Sequence, residues 1–343
     1  MLRNAIRIQA FTGFTSHIRL ISQNSKLFNR FRATRTRRPV ADPKPKEFKS
    51  QEVHEVHPDS ISLRPPSHLW RALGFTAGVS AVTYTVAAYS DFQRQKDFKQ
   101  SINDFFSHSF FTNFAEPSSS RSINHELGEF SPGQKLIFGL IAANVAITIL
   151  WQIPSLRVPM MRYFTNSFAQ KKVKKNLSES LCVPMVSSVF SHSSWIHLGL
   201  NMYVLHSFAS VSVDRFFGVD QFLAFYLTAG AFSSLTSLAH KSAVRSPVRA
   251  LGASGAICAL LVYTCMKIPD SRLSIIFLPM FTFSAENAAY GLMAFDLAGL
   301  LLRFKLFDHA AHLGGSIFGL WYAWYGQALV EQRLFPFVQR YLK

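Results

Sequence analysis

Seven apolar runs, each able to cross most or all of a bilayer as a helix, constrain this chain more than any other feature. They are Leu69–Ser90, Lys135–Ile153, Trp195–Val211, Gln221–Ala239, Gly252–Met266, Ala285–Leu302 and His309–Tyr325. A hydrocarbon layer of roughly 30 Å needs about 20 helical residues. Inside it every backbone amide must find its partner within the protein, so helices are the expected form. Several runs are short and rich in Gly, Ala and Ser, as expected where helices pack closely on one another. Charged residues make up only 16% of the chain and phenylalanine occurs 33 times, which fits lipid better than water. The expected fold class is an all-α polytopic membrane protein.

The formal net charge of +17 would suggest nucleic acid in a soluble protein. Here the excess lies in the N-terminal tail and in loops beside apolar runs, which points to a membrane and away from nucleic acid. Residues 1–41 hold no Asp or Glu but carry Arg3, Arg7, Arg19, Lys26, Arg30, Arg32, Arg35, Arg37 and Arg38 among scattered apolar residues. An arginine-rich, acid-free, weakly amphipathic start reads as a mitochondrial transit presequence. A basic tail lying on anionic lipid is the alternative. The expected organisation is a presequence at 1–50, a proline-containing linker at 51–68 and one span at 69–90. A polar segment at 91–134, six further spans at 135–326 and a tail at 327–343 follow. Cys182, Cys258 and Cys265 form no disulfide framework and no zinc spacing.

The loop at 154–194 carries Arg157, Arg162, Lys171, Lys172, Lys174 and Lys175 against Glu179 alone. The loop at 240–251 has Lys241, Arg245 and Arg249 and no acid. This bias puts both loops on the side of the basic N-terminus, the matrix side in a mitochondrial inner membrane.

Three clusters carry chemistry. His197 and Asn201 open the third span, Ser254 sits in GASG at the start of the fifth, and His312 lies in DHAAHLGGSIFG near the start of the seventh. Odd-numbered spans run in the same direction, so their beginnings share one face at similar depth. A serine needs a base to become a nucleophile, and imidazole has a suitable pKa. The oxyanion formed on attack needs preset donors. The Ser254 amide near a helix start can supply one, and His197 and Asn201, four apart on one helical face, can supply more. A serine among glycines is ordinarily a packing residue, whereas an ionisable group within a membrane is functional by default. The His309 and His312 pair leaves a metal site or a helix bridge open. Neither HExxH nor GxSxG is present, since Ala256 stands at the last position of the latter.

These motifs resemble the rhomboid intramembrane serine proteases, whose pattern of HxxxN, GxSG and AHxxGxxxG appears at His197–Asn201, Gly252–Gly255 and Ala311–Gly319. The resemblance covers the six spans from Lys135 to Tyr325. An extra span ahead of that core, the basic start and the DHAAHLGG run look like the mitochondrial, presenilin-associated branch. It implies a six-helix core preceded by one helix, with Ser254 as nucleophile and His312 as general base. His197 and Asn201 would line the oxyanion hole, Gly252 and Gly255 would admit close approach, and Gly315 and Gly319 would bring the seventh span against the fifth. Substrates would be single-span membrane proteins, and no cofactor or metal is needed. Two departures stand out. Cys258 takes the place where many members carry an aromatic against the histidine, and residues 154–194 lack their Trp-Arg pair.

Asp296, in the middle of the sixth span, lies within roughly 5 Å of His312 in depth at ~1.5 Å per helical residue. It either orients a catalytic histidine or makes a structural hydrogen bond to another span. Two rival functions compete. A rhomboid-like client-binding pseudoenzyme would ordinarily have lost Ser254 or His312. A transporter would spread its ionisable groups along a path or show an internal repeat.

Overall fold

In a computed structural model of the chain, residues 61–112, 130–171, 180–275 and 278–342 are described, all within one compact unit, Val56–Lys343. The expected presequence and most of the linker lie outside them, as do Lys172, Lys174 and Lys175. The described residues are mostly helical. The helices are α1 (His68–Thr112), α2 (Pro132–Leu150), α3 (Arg157–Tyr163), α4 (Val183–Ser187), α5 (Trp195–Ser212) and α6 (Val219–Ala243). Then come α7 (Ser254–Lys267), α8 (Ala285–Leu301), α9 (His309–Trp321), α10 (Gln327–Leu329) and α11 (Phe335–Leu342). A helix covers each of the seven apolar runs. Three stretches, His68–Asp104, Pro132–Leu150 and Val219–Ala243, are long and apolar enough to cross a membrane, and Ser254–Lys267 is a shorter apolar helix.

Helix starts follow from local chemistry. Ser131 and Gln134 form a capping box with Pro132 at the first helical position of α2. Ser194 caps α5 through the His197 amide, Ser284 caps α8, and Asp308 caps α9 through the Ala311 amide. The start of α7 has no side-chain cap.

Two helices run past their expected ends. The apolar part of α1 stops near Ser90, but Asp91–Asp104 contains no Pro or Gly and stays helical. Asp91 accepts a hydrogen bond from Gln95 one turn on, at 2.7 Å. Charge ends the lipid-compatible stretch there without ending the helix. After Trp321, π-type turns at Tyr322–Gly326 and Val330–Leu334 flank α10 and carry the helical path into α11, through the region expected as a tail.

The centre of the fold is α6, which is buried on most sides, with small and hydroxyl-bearing residues among its apolar ones. α1 lies along it, with Thr83 and Thr228 hydroxyls 3.3 Å apart. α9 packs on both α6 and α7. A short antiparallel pair joins β1 (Ile61–Leu63) to β2 (Ala169–Lys171), so the end of the expected linker is a strand paired with the first basic loop. The two basic loops also meet. The Asn166 amide donates to the Ala250 carbonyl at 2.7 Å, and the reverse bond is 2.8 Å. A second antiparallel pair, β3 (Arg272–Ile275) with β4 (Leu278–Ser284), links α7 to α8.

Candidate active site

The crossing of α7 and α9 is made by backbone. A Cβ added at Gly315 would lie 2.0 Å from the Gly255 carbonyl oxygen, and one at Gly319 would lie 2.1 Å from that of Ala259. No side chain fits between the two helices at these points. A Cβ at Gly255 would meet Ser233 of α6 at 2.3 Å, so this turn of α7 is closed on two sides. With the two backbones in contact, the first turns of α7 and α9 bring Ser254 and His312 together. His312 Nε2 and Ser254 Oγ are 2.8 Å apart.

The other face of the His312 ring meets a carboxylate. Asp296 of α8, 0% exposed, places Oδ1 3.3 Å from His312 Nδ1 and 2.7 Å from His309 Nδ1. A carboxylate oxygen accepts, so an imidazole that donates Nδ1–H to it keeps a lone pair on Nε2, the His312 atom that faces Ser254. Gly299, one turn beyond Asp296, makes room for His309, whose ring atoms would lie 2.5 Å from any Cβ there. Asp296 thus bridges α8 to α9 through His309 and also touches His312, the histidine that faces Ser254.

Phe307 lies 5.9 Å from the His312 ring and 5.9 Å from that of His309. Where Cys258 replaces an aromatic on α7, an aromatic thus arrives from the α8–α9 connection. Cys258 itself is buried beside Asp296 and His312.

Gly252 has φ +131°, a backbone region open to glycine alone, and its missing Cβ leaves room for His197. A Cβ there would lie 2.9 Å from His197 Cε1 and 3.1 Å from Nε2, and 3.8 Å from Ser254 Oγ. His197 therefore borders the same space as the serine hydroxyl. Asn201, buried one turn on, donates to the His197 carbonyl at 2.9 Å, which fixes its amide plane and leaves a second N–H. The amides of Ser254, Gly255 and Ala256 have no intrahelical acceptor, and Ile257 N is the first to find one, the Ala253 carbonyl at 3.0 Å. Ser254, His312, His197 and Asn201 thus share one end of the bundle.

Two groups in this region carried little sequence signal. His192, 1% exposed, sets its ring edge-on to His197 with centroids 4.9 Å apart, and neither of its nitrogens has a hydrogen-bond partner. Burial, then the neighbouring His197, lowers its pKa from 6.5 to about 4, so it is neutral at physiological pH. Its only hint is its place in the run SHSSWIHLGLN. The second group is Lys241, whose buried Nζ reaches Asp308 Oδ2 at 2.7 Å and Ser237 Oγ at 2.8 Å. Burial opposes a charge on Asp308, but the Lys241 ammonium, the Ser237 hydroxyl and the Ala311 amide outweigh it and hold the carboxyl below its usual range. This clamp ties the end of α6 to the first turn of α9, four residues ahead of His312. In the sequence, Lys241 counts only as one of the basic loop charges.

A sequence model of the Rhomboid domain matches residues 181–328, which contain Ser254, His312, His197, Asn201 and Asp296. The human presenilin-associated rhomboid-like protein, mitochondrial, is 42% identical over 278 residues, covering 80% of this chain and 71% of that protein. The zebrafish (Danio rerio) presenilin-associated rhomboid-like protein A, mitochondrial, is 43% identical over 209 residues, covering 61% of this chain and 52% of the relative. Rhomboid protein 1, mitochondrial, of Saccharomyces cerevisiae is 32% identical over 202 residues, 58% of this chain and 56% of its own length. The chain belongs to the rhomboid family, in its mitochondrial presenilin-associated rhomboid-like branch.

Proposed function

We propose that this protein is an intramembrane serine endopeptidase that cleaves single-span membrane proteins in the mitochondrial inner membrane. The observation that carries this reading is the 2.8 Å contact between Ser254 Oγ and His312 Nε2, backed by Asp296 on Nδ1. In this reading Ser254 is the nucleophile, His312 the general base, and Asp296 the carboxylate that orients it. The spans form a 1+6 arrangement, α1 ahead of the six helices α2, α5, α6, α7, α8 and α9, with residues 135–326 as the catalytic core. The basic loops and the site face the matrix, following their charge bias.

The steps follow from the proton positions. With its Nδ1 hydrogen held by Asp296, His312 takes the Ser254 proton on Nε2 as Oγ attacks the substrate carbonyl carbon. The carbonyl oxygen becomes an oxyanion beside the uncapped amides of α7, with His197 Nε2–H and the second Asn201 N–H as further donors. His312 then gives its proton to the leaving amine, the C–N bond breaks, and an ester to Ser254 remains. Water loses a proton to His312, attacks the ester, and Ser254 leaves with that proton returned. No metal or nucleotide enters these steps. A helical backbone shields its carbonyls, so the substrate segment must unwind near this end of the bundle to be cut.

Purified protein in detergent, offered a generic single-span rhomboid substrate, tests the reading directly. Wild type cleaves, and a normally folded Ser254→Ala variant does not. Equal cutting by both removes Ser254 from the mechanism, and no cutting by wild type across a substrate panel favours a client-binding role.

A further inference from the structure

We propose that Cys258, Asp296 and His312 form a binding site for a thiophilic divalent ion of the zinc class, and that an ion held there switches the protease off. The first half stands on geometry alone, and the second rests on the reading of Ser254 and His312 proposed above.

One ligand atom from each of the three residues, thiol sulfur, carboxylate oxygen and imidazole nitrogen, lies within 4.8 Å of the others. Among the described residues this is the one group of its kind. A sulfur, oxygen and nitrogen donor set suits Zn²⁺, and three protein ligands with an open fourth position is how zinc sites stay accessible. Tetrahedral zinc separates its ligand atoms by about 3.5 Å, so a contraction of roughly 1 Å completes the site. A second observation points the same way. Oδ1 of Asp296 serves two imidazoles, while Oδ2, equally buried, has no hydrogen-bond partner. A buried carboxylate oxygen with unused lone pairs is costly, and a cation satisfies it. The ion enters past His312, whose side chain is 14% exposed.

The consequence for His312 is a change of tautomer. In the metal-free site, Nδ1 carries the hydrogen and Nε2 faces Ser254 with its lone pair. An ion on Nδ1 takes that lone pair position, and the imidazole, still neutral, carries its hydrogen on Nε2. Cys258 binds as thiolate, so one proton is released per ion bound, and charge balances. Nε2–H then donates to Ser254 Oγ where it previously accepted. The 2.8 Å contact persists, but the base has no lone pair left for the serine proton. Cys258, standing where an aromatic is common, is what makes the switch possible in this chain.

Co²⁺ is the probe, because a bound thiolate gives it a near-ultraviolet charge-transfer band that is read without any activity. Full-length protein in detergent is titrated as wild type, Ser254→Ala, Cys258→Ala and the volume-conserving Cys258→Ser. One equivalent produces the band in wild type and Ser254→Ala, and none appears in either Cys258 variant although Cys182 and Cys265 remain. In parallel, Zn²⁺ suppresses wild-type cleavage. Its half-inhibitory concentration rises by at least about tenfold in Cys258→Ala, each activity being normalised to the same variant without zinc. Absence of the band in wild type, or an equal band in Cys258→Ala, overturns the site even where wild type cleaves normally. A band in wild type and Ser254→Ala with no cleavage by any zinc-free sample upholds the site and removes the protease reading instead. Equal zinc inhibition of wild type and Cys258→Ala overturns the tautomer switch.

Discussion

The parallel helices α7 and α9 are joined by backbone at one end and by rings at the other. From the site end toward the far end, Gly315 and then Gly319 lie against the carbonyls of Gly255 and Ala259. At the far end, Phe217, Phe225, Tyr263, Phe318 and Tyr322 form one buried aromatic cluster, with Phe217 and Tyr263 centroids 4.4 Å apart and Phe225 and Tyr322 5.0 Å apart. Backbone contact leaves no room for an added atom. Rings fill space through many weak contacts and can repack when one changes. The site end therefore fixes geometry, and the far end supplies burial. Substitutions at the two ends should separate activity from stability.

The largest separation is expected at Asp296. Asp296→Asn keeps the volume and the bridge between α8 and α9 but removes the charge that holds hydrogen on Nδ1 of His312. The turnover number should fall by about a thousandfold, with KM little changed, by analogy with loss of the orienting carboxylate in serine hydrolases. Kinetics on a folded variant, checked by its thermal midpoint, decide this. Retained turnover with a lowered midpoint would mean that Asp296 only ties helices together.

Next in size is a pH dependence confined to the site end. His192 is held neutral in the folded state with a pKa of about 4, against 6.5 for a free imidazole. Between these values the unfolded chain binds the extra proton, so stability is whole above pH 6.5 and declines as pH falls toward 4. The full decline amounts to roughly 3 kcal/mol. In His192→Phe, which keeps a ring against His197, that component of the decline disappears. Denaturant unfolding at pH 7 and pH 5 measures it, and an identical pH slope in both proteins would show that His192 titrates normally.

A third comparison uses two glycines. Gly315→Ala pushes α9 away from the Gly255 carbonyl, and a displacement near 1 Å at reacting groups costs about a hundredfold in rate. Gly139 of α2 has nothing within 4 Å of an added Cβ. Gly139→Ala should leave cleavage unchanged and gain roughly 0.5 kcal/mol from helix propensity. Equal effects from the two substitutions would mean the α7–α9 crossing is looser than its backbone contact implies.

Much of the site end was legible in the sequence because its chemistry needs fixed residue types at fixed spacings. Ser254 between glycines, His312 followed by Gly315 and Gly319, and His197 four before Asn201 all announce themselves. Parity of the spans leads to the expectation that they share one face. His192 and Phe307 were not legible, because a ring packed against a histidine has no required spacing from it. Lys241 was hidden for a different reason: a lysine at the end of an apolar run looks like a solvated loop charge until Asp308 folds onto it. The helical path of α1 beyond Ser90 was missed because apolar runs report on lipid, whereas helix continuation depends on the absence of Pro and Gly. The strand at Ile61–Leu63 is set by its partner at Ala169–Lys171, which local sequence does not reveal.

The smallest expected effect tests the far end. Phe225 is fully buried and touches Phe217, Tyr263, Phe318 and Tyr322 through ring centroids 4.9 to 5.5 Å away. Phe225→Leu keeps an apolar side chain of similar reach, and the surrounding rings can close part of the gap. A loss of roughly 1 kcal/mol is expected, seen as a lower thermal midpoint in detergent. Cleavage at temperatures well below that midpoint should stay within about threefold of wild type, because a threefold rate difference represents only about 0.65 kcal/mol at the reacting groups. The backbone contacts at Gly315 and Gly319 should isolate Ser254 and His312 from repacking among the rings. A large fall in turnover with an unchanged midpoint would break the comparison, because it would show that the aromatic end transmits position along α7 and α9 to the dyad.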